Sequence, residues 1–139
     1  MRWVLDTNIL VSALLWRGAP RGLLEQGFAA GMRFHGSPAL LAELREVLWY
    51  PKLLEIERQR GLDPAALFDA ARAILRVSES PPLPARVSRD PDDDAVLACA
   101  LAAKAGLIVS GDKDLLTLEH FQHIPIVTAA QALARLRGR

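Results

Sequence analysis

Short apolar runs alternate with longer amphipathic stretches along this chain. A short apolar run is typical of a buried strand, whereas apolar residues spaced three and four positions apart are typical of a helix. The pattern predicts a first strand that stops at Asp6, further strands at 32–35, 76–79, 107–109 and 124–127, and helices at 9–15, 19–31, 38–50, 52–60, 64–75, 95–105, 113–118 and 129–136. Strands that alternate with helices predict a layered α/β fold around a mainly parallel sheet of about five strands.

Carboxylates stand where two of the predicted strands end. Asp6 follows the first strand directly, and Asp112 follows the strand at 107–109 after Ser110 and Gly111. Open α/β sheets bind ligands at the carboxyl ends of their strands. The two aspartates are therefore expected at one functional edge of the sheet.

Two further carboxylates lie beside apolar helix faces. Glu43 is about 40° from Val47 around its helix, so it borders the buried stripe. Asp94 shares a face with Leu97 and Leu101, which predicts that its side chain points towards the core. Buried acids need a partner.

A divalent cation would provide that partner. No lysine or arginine recurs at matching positions, although Lys113 and Arg89 are close in sequence. Convergent carboxylates repel one another, and a hard cation with oxygen ligands relieves the repulsion. The four candidate ligands are Asp6, Glu43, Asp94 and Asp112.

Several acids also have a simpler interpretation. Those of the segment 90–93 suit an N-cap and a first helical turn, where negative charge complements the helix dipole without any metal. Asp114 is expected to be solvated or capping, and Glu43 alone would be a rim residue of an amphipathic helix. For Asp6 alone, capping and metal binding are equally good interpretations, and Asp112 at a second strand end favours the metal.

Composition limits the class of protein. A chain of 139 residues that is 51% hydrophobic fits a single domain, 1–139, with an ample core. A net charge of +1 argues against a strong nonspecific polyelectrolyte binder, so any nucleic acid must be held locally. Cys99 is the only cysteine, which excludes a disulfide framework and favours a reducing compartment. Asp6 interrupts the apolar run that a signal peptide would need, and no run approaches the ~20 residues of a membrane span, so a soluble cytoplasmic protein is expected.

Four segments together resemble the PIN-domain family, small metal-dependent nucleases that include many toxins of prokaryotic toxin–antitoxin pairs. The segments are Val4-Leu5-Asp6-Thr7-Asn8, Leu40-Leu41-Ala42-Glu43-Leu44, Asp94-Ala95-Val96-Leu97-Ala98-Cys99-Ala100 and Ser110-Gly111-Asp112-Lys113-Asp114-Leu115-Leu116. Each is modest alone, but their order in a chain of this length is fairly specific. The Asp-Pro-Asp-Asp-Asp and Ser-Gly-Asp-Lys-Asp-Leu segments resemble the VapC-like toxins of that family.

The resemblance implies a PIN-like three-layer α/β/α domain and an endoribonuclease that cuts single-stranded or looped RNA. It implies an acidic quartet that binds Mg²⁺ or Mn²⁺, with Ser110 and either Asn8 or Asp114 assisting; the quartet is Asp6, Glu43, Asp94 and Asp112. Asp94 is chosen because it precedes Ala95-Val96-Leu97-Ala98, and a different helix start would give its place to Asp92 or Asp93. The resemblance also implies a homodimer and a cognate antitoxin.

The corresponding mechanism is hydrolysis of a phosphodiester, with Asp112 or Asp94 orienting or deprotonating the attacking water. An aspartate-dependent phosphatase of the haloacid-dehalogenase type is an alternative, but it requires a second aspartate where this chain has Asn8. A catalytically silent RNA-binding or regulatory module is another. Arginines that could contact phosphates include Arg17, Arg21, Arg45 and Arg89.

Overall fold

Strands and helices alternate along the chain in this computed structural model, which describes residues 1–138. Only the last residue of the predicted domain 1–139 lies outside the described residues. The strands are β1 (Arg2–Leu5), β2 (Arg33–Gly36), β3 (Leu75–Val77), β4 (Leu107–Val109), β5 (His120–Phe121) and β6 (Ile124–Val127). The helices are α1 (Thr7–Leu15), α2 (Ala19–Ala29), α3 (Pro38–Leu48), α4 (Pro51–Gln59), α5 (Pro64–Ile74), α6 (Pro91–Ala103), α7 (Lys113–Leu116) and α8 (Ala129–Arg137).

The strands form one sheet in the order β3-β2-β1-β4-β6-β5. Neighbouring strands run parallel from β3 to β6, and β5 pairs antiparallel with β6. The mainly parallel α/β fold is confirmed, but the sheet has six strands in place of the expected five. The additional strand is the short β5, which forms a hairpin with β6 through Gln122 and His123, both in the left-handed region.

Helices cover both faces of the sheet. Trp3 and Leu5 of β1 point into one core with α1, α2, α3, α5 and α8, whereas Val4 points into a second core built mainly by α6. Alternate residues of a strand face opposite sides, so a buried central strand needs apolar residues at consecutive positions. This requirement explains the uninterrupted apolar runs of β1 and β4.

Four polar side chains begin helices at the carboxyl edge of the sheet. Asp6, Ser37 and Asp112 follow strand ends and accept hydrogen bonds from backbone N–H groups of α1, α3 and α7. Asp90 caps α6 in the same way and brings the first turn of that helix to this edge. The caps satisfy N–H groups that a helix leaves unpaired. Among the described residues, no helix has the length and apolar character needed to cross a membrane.

Candidate functional site

A narrow acidic cleft opens at the carboxyl edge of the sheet between α3 and α6. None of its described lining residues is cationic; they are Asp6, Thr7, Asn8, Glu43, Asp90, Asp92, Asp93, Val96 and Asp112. The structure therefore brings together three of the four predicted ligands and replaces the fourth, Asp94, with its neighbour Asp93. The acids come from the end of β1, from α3, from α6 and from the segment after β4.

Asp6 forms the floor of the cleft. Its carboxylate is buried, and one oxygen accepts a hydrogen bond from the Ile9 N–H at 2.9 Å. The other oxygen accepts a hydrogen bond from the buried Ser110 hydroxyl, whose oxygen in turn accepts one from the Asp112 N–H at 3.0 Å. Burial raises the pKa of Asp6, and these hydrogen bonds oppose the rise while the charge of Asp112 adds to it. Ser110 thus joins the two aspartates, in the assisting position that the resemblance implies.

Glu43 extends from α3 over the same floor. Burial and then the charge of Asp92 raise the pKa of Glu43 to about 7, with Asp6 contributing further, while the Thr7 hydroxyl lowers it. The Thr7 hydroxyl oxygen is buried and has no hydrogen bond of normal geometry among the described residues. The cleft therefore contains a carboxylate that is hard to ionise and a hydroxyl oxygen available to a ligand.

Asp93 approaches from the first turn of α6. Its carboxylate is buried and accepts a hydrogen bond from the Ser88 hydroxyl at 2.9 Å. Burial raises the pKa of Asp93 to about 6 against the effect of Ser88, and the charge of Asp112 adds to the rise. One carboxylate oxygen from each of Asp93, Asp112 and Asp114 lies within 4.8 Å of the others, a spacing that a single cation could bridge.

Asp94 was expected in the cleft, but its side chain turns to the other side of α6. Its two oxygens accept hydrogen bonds from the N–H groups of Val87 at 3.1 Å and Ser88 at 2.7 Å. Successive helical residues are separated by about 100°. Asp92 and Asp93 line the cleft, whereas the next residue, Asp94, is turned past it and anchors the segment that precedes the helix.

The remaining acids lie at the rim. Asp90 caps α6 by accepting a hydrogen bond from the Asp92 N–H at 2.9 Å, and Asp112 caps α7 through the Asp114 N–H at 2.7 Å. Asp114 is exposed and forms an ion pair with Arg89 at 3.3 Å. The predicted capping role of Asp90 is therefore present beside the cleft, and so is the capping role that was one of two interpretations of Asp6. The cap formed by Asp112 and the contacts of Ser88 and Thr7 were not predicted from the sequence.

This set of donors fits a hard divalent cation. The cleft offers carboxylate and hydroxyl oxygens without sulfur or imidazole ligands, and the Thr7 oxygen lacks another partner. Calcium and magnesium bind oxygen ligands of this kind. Burial raises the pKa values of Glu43 and Asp93 most, and the neighbouring carboxylates raise them further; a bound cation would relieve that repulsion.

Comparison with known proteins identifies the family and the fold. The family model described as PIN domain matches residues 2–114. Among solved structures, the chain is similar in fold to a chain of the crystal structure of VapBC2 from Rickettsia felis bound to a DNA fragment from their promoter. The TM-score is 0.63 at 16% sequence identity, and the alignment covers 91% of this chain and 97% of that chain. No curated protein matches the chain significantly.

Proposed function

The chain belongs to the PIN domain family, and from this premise we propose that it is a divalent-metal-dependent endoribonuclease that hydrolyses single-stranded or looped RNA. PIN domains are generally nucleases that use a divalent metal ion. The proposed ligands are Asp6, Glu43, Asp93 and Asp112, and the proposed cation is Mg²⁺ or Mn²⁺.

One observation carries the proposal: four carboxylates from separate elements converge on one cleft without a cationic side chain among its described lining residues. A merely structural cluster would be expected to contain its own arginine or lysine, because an unpaired buried carboxylate is destabilising. The arrangement favours binding of a metal cation by the carboxylates and of an anionic substrate by that cation.

The residues suggest a division of labour during hydrolysis. When bound, a divalent cation would lower the pKa of a water molecule and neutralise charge that develops on the phosphate. Asp6 is held by Ser110 and the Ile9 N–H, so it is suited to fix the position of the cation. Asp112 is half-buried and is the proposed acceptor for the proton of the attacking water. Glu43 on α3 and Asp93 on α6 line the two sides of the cleft.

We also propose that the protein is the toxin of a toxin–antitoxin pair, a cytoplasmic homodimer with a cognate antitoxin. The support is the similarity in fold to the VapBC2 complex, together with the Ser-Gly-Asp-Lys-Asp-Leu segment at 110–115. A small reading frame adjacent to the gene, whose product copurifies with this chain and blocks its activity, is the expected finding.

The test of the enzymatic proposal is cleavage of total RNA by the purified protein in Mg²⁺, in Mn²⁺ and in EDTA. We expect cleavage with either cation, none in EDTA, and none with Asp6→Asn in any buffer. RNA binding without metal-dependent cleavage of any substrate would favour the silent module instead. A phosphoryl group trapped on Asp6 would favour the phosphatase.

A further inference from the structure

Five cationic residues gather away from the acidic cleft, towards the amino ends of the strands. Arg2 and Arg33 begin β1 and β2, and Arg76 lies in β3. Lys104 and Arg135 line a surface cleft that they share with Arg2. All five residues are exposed, and we call them the basic cluster.

The register of the sheet places three of these arginines on one face. Arg2 pairs with Arg33, His35 pairs with Val4, and Arg76 pairs with His35. Paired residues share a face of a sheet, as do residues two apart on one strand. Neighbouring strands are about 4.8 Å apart. The three arginine side chains therefore leave the sheet at neighbouring backbone positions around His35.

No carboxylate of residues 1–138 forms an ion pair with the basic cluster. Within residues 1–138 the ion pairs are Arg58 with Glu55 and Arg89 with Asp114, and neither contains a member of the cluster. The Arg2 guanidinium instead donates a hydrogen bond to a backbone carbonyl, that of Ala103, at 3.3 Å. The positive charge of the cluster is therefore open to an external anion.

His35 responds to this concentration of charge. Burial lowers the pKa of His35 most, and the charges of Arg2, Arg76 and Arg33 and of the N-terminal amine lower it further. Each of these charges is positive. The three arginines that act on His35 are the ones that the sheet register places around it.

The surface cleft beside Arg2 gives a bound anion room. It has a volume of about 540 Å³, and the buried side chains of Trp3 and Leu107 contribute to its walls. Lys104 and Arg135 add charge on the side away from β2. Small-molecule sites have volumes of this order, so the cleft is large enough for the phosphate and sugar of one nucleotide.

We propose that the basic cluster binds the phosphodiester backbone of the RNA outside the cleavage site. The proposal rests on the proposed function in naming RNA as the polymer. Its physical basis is that the acidic cleft repels a polyanion and the whole chain carries a net charge of only +1, so attraction must come from a local cationic surface. Arginine and lysine contacts to phosphates position a nucleic acid without reading its sequence.

The separation of the two surfaces sets a requirement on the substrate. Arg2 begins β1 and Asp6 follows its last residue, four positions later, which corresponds to roughly 13 Å of extended chain. A dinucleotide at the cleavage site would not reach the basic cluster, whereas a longer single strand would contact both. Short and long RNA substrates therefore distinguish binding at the basic cluster from cleavage in the acidic cleft.

The test compares two triple variants of the full chain. Arg33→Gln, Arg76→Gln and Arg135→Gln remove charge from the cluster and leave Arg2 on its backbone partner. The matched control removes three exposed cations of α4 and α5 by Lys52→Gln, Arg58→Gln and Arg72→Gln. Circular dichroism and thermal melts confirm that both variants fold. The affinity for a long single-stranded RNA is measured by fluorescence anisotropy in EDTA, where no cleavage occurs, over a range of salt concentrations.

For the cluster variant we expect the salt slope of log K to fall by about 2, since each lost phosphate contact to a single strand contributes about 0.7. We expect the Kd to rise by about tenfold or more at low salt. The control variant should match the parent, and both variants should cleave a dinucleotide at the parental kcat/KM in Mg²⁺. Equal RNA binding by the two variants would overturn the proposal. It would also be overturned if polyglutamate competed for the parent protein as strongly as unlabelled RNA does, because that result would indicate an acidic protein partner. Loss of cleavage with the binding difference retained would reject only the nuclease activity.

Discussion

Asp93 and Asp94 are adjacent residues whose carboxylates have different surroundings. Asp93 faces Asp112 across the cleft, whereas Asp94 accepts two backbone hydrogen bonds from the segment before α6. We expect Asp93→Asn to reduce RNA cleavage at least about a hundredfold, because it removes a proposed ligand while preserving shape. We expect Asp94→Asn to lower the free energy of unfolding by about 1 kcal/mol with little loss of cleavage, because the amide has one acceptor for two donors.

Cleavage assays and urea denaturation of both variants check this prediction side by side. Asp69→Asn, at an exposed position of α5, is the control for an unspecific effect of losing one negative charge. If Asp94→Asn were the inactive variant and Asp93→Asn the active one, the assignment of the third ligand to Asp93 would be wrong.

The sequence alone could predict most of this site. Asp6 and Asp112 follow apolar runs, and Glu43 borders an apolar stripe, so strand ends and helical periodicity identify all three. The choice between Asp93 and Asp94 was not decidable in this way. Asp93 precedes Val96, Leu97 and Ala100 at the helical spacing, and Asp94 precedes Leu97, Ala98 and Leu101. These stripes are equally apolar, and only the packed helix reveals that the first is the more deeply buried.

At the scale of elements, Ser110 connects the ends of two adjacent strands, β1 and β4. Its hydroxyl donates to Asp6 and accepts from the Asp112 N–H. We expect Ser110→Ala to weaken Mg²⁺ binding by about 10- to 100-fold, because residues that orient metal ligands typically have effects of this size. Isothermal titration calorimetry measures the affinity, and Ser110→Thr should restore most of it. An unchanged affinity in Ser110→Ala would show that the strand ends hold their geometry without this link.

The packing of α2 on β2 depends on one glycine. A Cβ added at Gly27 would lie 2.6 Å from the Phe34 ring, closer than real contacts allow. We therefore expect Gly27→Ala to lower the free energy of unfolding by about 1–3 kcal/mol through overpacking. Gly22 lies on the same helix, and an added Cβ there would meet Leu133 at an ordinary 3.5 Å. Gly22→Ala should accordingly stabilise by about 0.5–1 kcal/mol, and urea denaturation of both variants measures the contrast.

Element boundaries show where sequence reasoning succeeds and where it stops. Pro38 and Pro64 stand at the first position of their helices, as predicted, after the side chains that cap them, and such signals are local. Helix α6 also starts at such a proline, Pro91, four residues before the start predicted at 95. By contrast, α5 passes into β3 at Leu75 without a turn, so no glycine or proline marked the boundary, and the strand was predicted at 76–79. The two-residue β5 exists only by pairing with β6. Pairing is a tertiary property that no window of sequence contains.

The whole molecule separates its charges, although its net charge is only +1. The carboxyl edge of the sheet carries the acidic cleft, and the basic cluster lies towards the amino ends of the strands. Repulsion between like charges opposes folding at each location. Binding of an ion of opposite charge should relieve this repulsion. Cations should therefore stabilise the protein at the acidic cleft, and polyanions should stabilise it at the basic cluster.

The acidic cleft makes the metal-free protein respond to pH in an unusual direction. The folded pKa is raised to about 7 for Glu43 and to about 6 for Asp93, above the ordinary values of the unfolded chain. The folded state then binds more protons than the unfolded state between about pH 4 and 7, so its stability falls as the pH rises through that window. Allowing for the partial exposure of Glu43, we expect a loss of about 1–2 kcal/mol in EDTA.

Saturating Mg²⁺ should restore this stability at pH 8 and have little effect at pH 5, where protons compete with the cation. Urea denaturation at both pH values, with and without Mg²⁺, measures the four stabilities, and Glu43→Gln should flatten the pH dependence. Equal stabilisation by Mg²⁺ at pH 5 and pH 8 would contradict cation binding by these carboxylates.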